Sequence, residues 1–110
     1  MESVSLTALA DEQLAAAHAA SAGRAAHTVH GGHDHMLRQT MIALVGGRQL
    51  GEHDSPGQST LQVLRGRVRL HTADDEWFGG PGDYLVIPRQ RHGLDAVEDA
   101  VVLLTVLADS

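Results

Sequence analysis

The chain has 110 residues, a formal net charge of −6, eight histidines and no cysteine. A chain of this length forms one domain and buries a core without covalent staples. The lack of cysteine excludes disulfides, thiolate metal sites and cysteine nucleophiles, and the negative charge argues against nucleic acid or an anionic membrane as partner. No apolar run approaches the roughly 20 residues that span a bilayer, and the start lacks the pattern of a signal peptide. We therefore expect a cytoplasmic protein.

A helix is predicted over residues 5–21, because apolar residues recur near helical spacing and alanine has high helix propensity. The recurring residues are Leu6, Leu9, Leu14 and Ala17. Gly23 is a suitable C-terminal stop. We therefore divide the chain into an N-terminal helical segment, 1–23, and a second unit, 24–110.

After residue 23, short apolar-rich runs alternate with glycine- and proline-rich turns, a pattern typical of an all-β sandwich or barrel. The predicted strands are 24–30, 36–45, 50–55, 59–65, 67–72, 76–78, 83–87, 92–97 and 100–108. The predicted turns are 31–32, 46–47, 55–57, 73–75, 79–82 and 88–91. The last strand is apolar on both faces, so its outer face must be covered by a helix, a second sheet or another subunit. This is the main physical reason to expect a homodimer.

Between Gly47 and His92 the sequence resembles the cupin family. The first cupin motif is G-x5-H-x-H-x(3–4)-E-x6-G, and the corresponding residues here are Gly47, His53, Ser55, Ser59 and Gly66. The second motif is G-x5-P-x-G-x2-H-x3-N, and the corresponding residues, with a loop one residue shorter, are Gly82, Pro88, Gln90, His92 and Ala96. The resemblance implies an all-β cupin (double-stranded β-helix or jelly-roll) barrel with one short N-terminal helix, similar to small single-domain bacterial cupins.

The resemblance implies a weakened metal site. In metal-dependent cupins two histidines and a glutamate of the first motif, with one histidine of the second, bind a divalent metal. Here His53 and His92 match ligand positions, whereas Ser55 and Ser59 replace the other two. Neutral hydroxyls are weak ligands, so the expected cofactor is one divalent transition metal (iron, manganese, nickel or zinc) at His53 and His92, or none.

A third metal ligand has two candidates, Gln58 through its amide oxygen and His35 from a second histidine cluster. That cluster consists of His27, His30, His33 and His35. On a strand, His33 and His35 would share a face. The pair either replaces the missing motif histidine, forms an adventitious surface metal site, or belongs to a glycine-flanked loop without a ligand. We favour the last interpretation for His27 and His30.

The arginines form two groups. Arg65, Arg67 and Arg69 recur at every second position, which is typical of a solvated outer face paired with acids such as Asp74 and Glu76 for little net stability. Arg89 and Arg91 flank His92 in the loop at the expected mouth of the barrel. They either bind a carboxylate or phosphate of a ligand or form a basic solvent loop.

Two functions remain beside a structural role with no ligand, and no catalytic residue is assigned. The first is a binding module for a small polar or anionic molecule in the barrel interior; its ligand-binding residues would be Ser55, Gln58, Ser59, Arg89 and Arg91. The alternative is a metal-dependent enzyme of the dioxygenase, isomerase or lyase type that uses His53, His92 and a recruited third ligand. The missing motif ligands favour the first function, and the many histidines favour the second.

Overall fold

The computed structural model describes residues 1–55 and 57–108, which form one helix and nine strands. The elements are α1 (Leu6–Ala19), β1 (Arg24–His30), β2 (Leu37–Leu44), β3 (Gln49–His53), β4 (Ser59–Arg65), β5 (Val68–His71), β6 (Glu76–Gly79), β7 (Tyr84–Val86), β8 (His92–Ala96) and β9 (Ala100–Leu107). Every predicted boundary lies within two residues of the observed one. Pro56 of the predicted turn 55–57 and residues 109–110 of the predicted second unit lie outside the described residues.

The strands form two antiparallel sheets that face each other. One has the order β1-β2-β9-β4-β7 and the other has the order β3-β8-β5-β6. The main core lies between them, because alternate residues of each strand point to the same side. Its buried members are Leu44, Leu61, Val63, Val68, Leu70, Ile87, Leu94, Ala96, Ala100 and Val102. The architecture is the predicted jelly-roll barrel.

Helix α1 packs on the outer face of β1 and β2 and reaches the start of β9. Ser5 caps its N-terminus by accepting a hydrogen bond from the Ala8 amide at 3.2 Å. A second buried cluster joins the helix to the sheet; its members are Leu9, Ala10, Ala17, Met41, Ala43 and Val101. The sequence left a helix, a second sheet or another subunit as possible covers for the outer face of β9. In the structure, the chain's own helix covers Val101 on that face. The homodimer stays a prediction. Within the described residues, no helix is long and apolar enough to cross a membrane.

Asp99 links the C-terminal part of α1 to the barrel through two side-chain contacts. Its carboxylate accepts a hydrogen bond from the Gly46 backbone amide at 2.8 Å and lies 2.6 Å from Nε2 of His18 on α1. The Gly46 hydrogen bond and then the His18 contact hold the pKa of Asp99 below its ordinary value. The link therefore depends on the ionised carboxylate.

All nine strands bring one end to the same opening of the barrel. The register pairs His30 with Gln39, His53 with His92, and Ser59 with Val106, so that odd-numbered strands end and even-numbered strands begin there. We call this end the mouth. The β2–β3 and β4–β5 turns lie at the opposite end of the barrel, where β8 ends at Ala96 and β9 begins at Ala100.

Candidate ligand site at the barrel mouth

Two predicted metal ligands, His53 and His92, meet at the mouth. They are register partners on β3 and β8, and their ring centroids lie 4.6 Å apart with an interplanar angle of 66°. Leu50 and Leu94 are also register partners. Between these two pairs, β3 advances by three residues and β8 by only two. This bulge brings His53 opposite the interior His92, whereas strict alternation from Leu50 would have turned Glu52 inward.

Both rings are held in the tautomer that leaves Nε2 as an acceptor. His92 is 4% exposed, and its Nδ1 lies 2.9 Å from the Gln90 carbonyl oxygen. His53 Nδ1 lies 3.2 Å from the Asp54 carbonyl oxygen. Because a carbonyl only accepts, each Nδ1 of a neutral ring carries the proton. A backbone carbonyl on the second ring nitrogen is also the usual arrangement behind a metal-bound histidine.

The described residues supply two protein ligands for a metal and no charged third. No group of three histidine, cysteine, aspartate or glutamate side chains with metal-binding geometry occurs among them. His35 contacts His30 instead, with ring centroids 4.9 Å apart. Catalytic zinc sites and non-haem iron sites typically have three protein ligands. The residues present therefore fit a weakly held metal and do not complete a catalytic metal centre.

A cleft of about 460 Å³ runs over the mouth ends of β4 and β7. It brings together three of the predicted ligand-binding residues, Gln58, Ser59 and Arg89. Ser59 is 5% exposed, and its Oγ has no hydrogen-bond partner among the described residues. Arg89 is exposed and forms no ion pair within the described part of the chain. Ser59 and Arg89 thus line the same cleft, and the Ser59 hydroxyl itself is shielded from solvent. The remaining lining residues are Gly57, Thr60, Val86, Ile87 and Pro88.

The other two predicted ligand-binding residues lie outside this cleft. The Ser55 hydroxyl donates to the Gly57 carbonyl at 3.1 Å. The Arg91 guanidinium lies 3.5 Å from the Glu52 carboxylate and 3.7 Å from that of Asp54, and it donates to the Glu52 carbonyl at 3.3 Å. Two acids therefore already neutralise Arg91. The residues described as lining the cleft do not include His53 or His92. The residues predicted for one site therefore lie in two separate places at the mouth.

Sequence reasoning missed two features near the mouth. An apolar cavity of about 80 Å³ lies beside Leu70, Trp77 and Leu85. On the outer face of the four-stranded sheet, His71 lies 3.5 Å from the Asp95 carboxylate and 3.9 Å from that of Glu52. The His71–Asp95 contact could have been inferred from the sequence, because the alternation of side chains along β5 and β8 places both residues on the outer face. Of the arginines predicted to pair with acids such as Asp74 and Glu76, Arg69 contacts Glu76 and Asp95, and Arg65 contacts Asp11.

Several solved structures share this double-sheet barrel. A cupin superfamily protein from Desulfitobacterium hafniense superposes with a TM-score of 0.71 and 16% identity, covering 78% of each chain. An RmlC-like cupin protein from Desulfovibrio desulfuricans gives 0.66 and 25% identity, covering 76% of this chain and 81% of that one. Salicylate 1,2-dioxygenase from Pseudoaminobacter salicylatoxidans gives 0.77 and 18% identity, but its match covers 91% of this chain and 34% of that enzyme.

These likenesses define the class of the protein by its fold. No model of a known protein family matches the chain, and no curated protein matches it. The fold is that of the cupin superfamily.

Proposed function

We propose that the mouth of the barrel binds a small anionic molecule that carries a carboxylate or phosphate group. The observation that carries this proposal is one cleft that brings Arg89, which has no ion pair among the described residues, together with Gln58 and Ser59. An unsatisfied buried polar group costs about 1–3 kcal/mol. The Ser59 hydroxyl has no partner among the described residues and is shielded from solvent, so a ligand oxygen reaches it only through a local opening of the cleft, and accepting from it then removes that cost.

Arg89 supplies the charge that selects an anion. A guanidinium presents several N–H donors in a planar fork that matches carboxylate and phosphate oxygens. Gln58 adds an amide that donates and accepts in the same cleft. The chain as a whole carries a net charge of −6. Arg89 is exposed and has no ion pair within the described part of the chain, so it attracts anions locally, at this cleft.

The test measures the binding of two probes, inorganic phosphate and malonate, by titration calorimetry at low salt. Arg89→Ala is the test variant. Arg67→Ala is its matched control, because Arg67 is an exposed arginine in the turn between β4 and β5 at the end opposite the mouth. A hydrogen bond to a charged group is worth about 1.5–3 kcal/mol, so Arg89→Ala should weaken binding at least about tenfold. Equal affinities in the two variants would refute the proposal.

A second candidate function is metal binding by His53 and His92, which their shared tautomer favours. In this alternative the chain is a metal-dependent enzyme of the dioxygenase, isomerase or lyase type. The metal would polarise a substrate oxygen or support oxygen chemistry. The two imidazoles would hold it, and the third ligand would be Gln58 or a group of the substrate. We rank this function second because the described residues bring no third histidine, aspartate or glutamate to the pair.

Metal content separates the two functions. Untagged protein, dialysed without chelator, is analysed by plasma mass spectrometry beside a His53→Ala variant. The enzyme alternative predicts close to one transition metal per chain, lost in the variant. Sub-stoichiometric metal in both proteins, together with intact phosphate or malonate binding, supports the binding module.

A further inference from the structure

We propose that His30 and His35 form a second binding site, for a divalent cation such as Zn²⁺, Ni²⁺ or Cu²⁺, on the loop between β1 and β2. Their ring centroids lie 4.9 Å apart with an interplanar angle of 79°. This site is separate from the His53–His92 pair and from the anion cleft. Imidazole nitrogen is the ligand type that these three metals favour.

The separation of the rings suits a shared metal. A metal at roughly 2.0–2.1 Å from one nitrogen of each ring places the ring centres roughly 4.5–5.3 Å apart, for ligand angles of about 90–110°. The observed 4.9 Å lies inside that interval. Both side chains are exposed, so the cation keeps water on its remaining positions and neither ring has to be desolvated before binding.

The loop that carries the pair is fixed by its own hydrogen bonds. The His35 amide donates to the Gly32 carbonyl at 3.2 Å, which closes a turn. The His35 carbonyl accepts from Nε of Arg38 at 3.2 Å. The next carbonyl, that of Met36, accepts from the Ala108 amide at 2.7 Å, which ties the loop to the last strand. These contacts hold His35 near the end of β1 before any cation binds, so binding costs less ordering entropy.

Two glycines allow the chain to return toward His30. Gly31 and Gly32 have φ values of 140° and 138°, which side-chain-bearing residues rarely adopt. A Cβ on Gly31 would also lie 3.3 Å from the Arg38 backbone. The positive φ values of both glycines and the close approach at Gly31 therefore let the chain turn back, which places His35 beside His30 at the end of β1.

The remaining histidines of the cluster have different positions. His27 is exposed on β1, where it pairs with Met41 three residues before His30. His33 lines a separate groove with Thr28, Arg38 and Thr40. No third histidine, aspartate or glutamate completes a site with the pair among the described residues. The inferred site thus has two protein ligands, and moderate affinity is expected.

The experiment titrates untagged protein with Zn²⁺ by calorimetry, using His30→Ala and His35→Ala as test variants and His27→Ala as the matched control. Loss of an outer-shell partner alone lowers metal affinity roughly 10- to 100-fold, so each test variant should lose more than about tenfold in one binding event. The control should retain that event. All three residues are exposed, so folding is expected to survive each change.

A second measurement reads the site in the unaltered protein. Long-range ¹H–¹⁵N NMR of the histidine rings, recorded during the Zn²⁺ titration, should shift ring nitrogens of His30 and His35 together. Shifts confined to His53 and His92, or an affinity that falls equally in the His27→Ala control, would overturn the proposal.

Discussion

Replacing Ser59 by alanine is predicted to stabilise the ligand-free protein while it weakens ligand binding. Ser59 is 5% exposed, and its hydroxyl has no hydrogen-bond partner among the described residues. Leaving such a group unsatisfied costs about 1–3 kcal/mol, and its removal recovers part or all of that cost. For a domain of this length, 1 kcal/mol corresponds to about 4 °C in melting temperature. Ser59→Ala should therefore melt about 4–12 °C higher.

The assays are thermal unfolding and urea unfolding of dialysed protein, and Ser55→Ala is the matched control. The Ser55 hydroxyl donates to the Gly57 carbonyl at 3.1 Å, so its loss should destabilise the fold by about 0.5–1.5 kcal/mol. The two serine-to-alanine changes are therefore expected to have opposite signs. A Ser59→Ala variant that is destabilised by more than about 1 kcal/mol would refute the reasoning, because the hydroxyl would then be satisfied within the protein.

Two further predictions concern the end of the barrel opposite the mouth. Gly66 has φ +71°, and a Cβ there would lie 1.9 Å from the Asp99 carbonyl oxygen, so Gly66→Ala should cost at least about 2 kcal/mol in urea unfolding. Gly82→Ala is its control, since Gly82 has φ +89° but open space around the added atom; equal costs would show that backbone strain alone decides. Because the pKa of Asp99 is lowered in the fold, its ionised form contributes stability above the ordinary carboxyl range, and this is lost as pH falls through the lowered pKa. The stability difference between wild type and Asp99→Asn should therefore be largest above about pH 5 and shrink below about pH 4; a difference that does not vary with pH would contradict this role.

Local sequence signals were sufficient for the elements of the fold. Glycine and proline mark the turns, and the short apolar-rich runs between them mark strands such as β1 and β4, whose observed bounds, Arg24–His30 and Ser59–Arg65, equal the predicted ones. The motif glycine Gly66 adopts a positive φ that non-glycine residues rarely reach. These features depend on near neighbours in the chain, so a single sequence reveals them.

The site needed information that lies across strands. The bulge between Leu50 and His53 follows from the pairing of β3 with β8, and alternation along β3 alone does not show it. The contact of Arg91 with Glu52 depends on how the segment before β8 lies against β3. The contact between His35 and His30 likewise depends on how the β1–β2 loop folds back. Each is a long-range geometric outcome that propensity and spacing do not encode.

For the outer face of β9, the sequence predicted that a cover is needed but did not determine which element provides it. The apolar residues of this face required a cover, and packing of α1 residues such as Leu9 and Ala17 against Val101 provides one within the chain. Helix propensity predicted α1, but the helical pattern did not say which surface it would cover. The homodimer prediction now depends on other surfaces, among them the exposed Tyr84 and Val86 on the edge strand β7.

The most direct test of the central claim is a map of where a small anion binds. Backbone ¹H–¹⁵N spectra of isotope-labelled protein would be recorded during titration with inorganic phosphate and, separately, with malonate. The account predicts saturable shifts concentrated at 57–60 and 86–89, the residues that line the cleft, with proline giving no signal. Absence of saturable shifts, or shifts concentrated away from the mouth, would contradict the account.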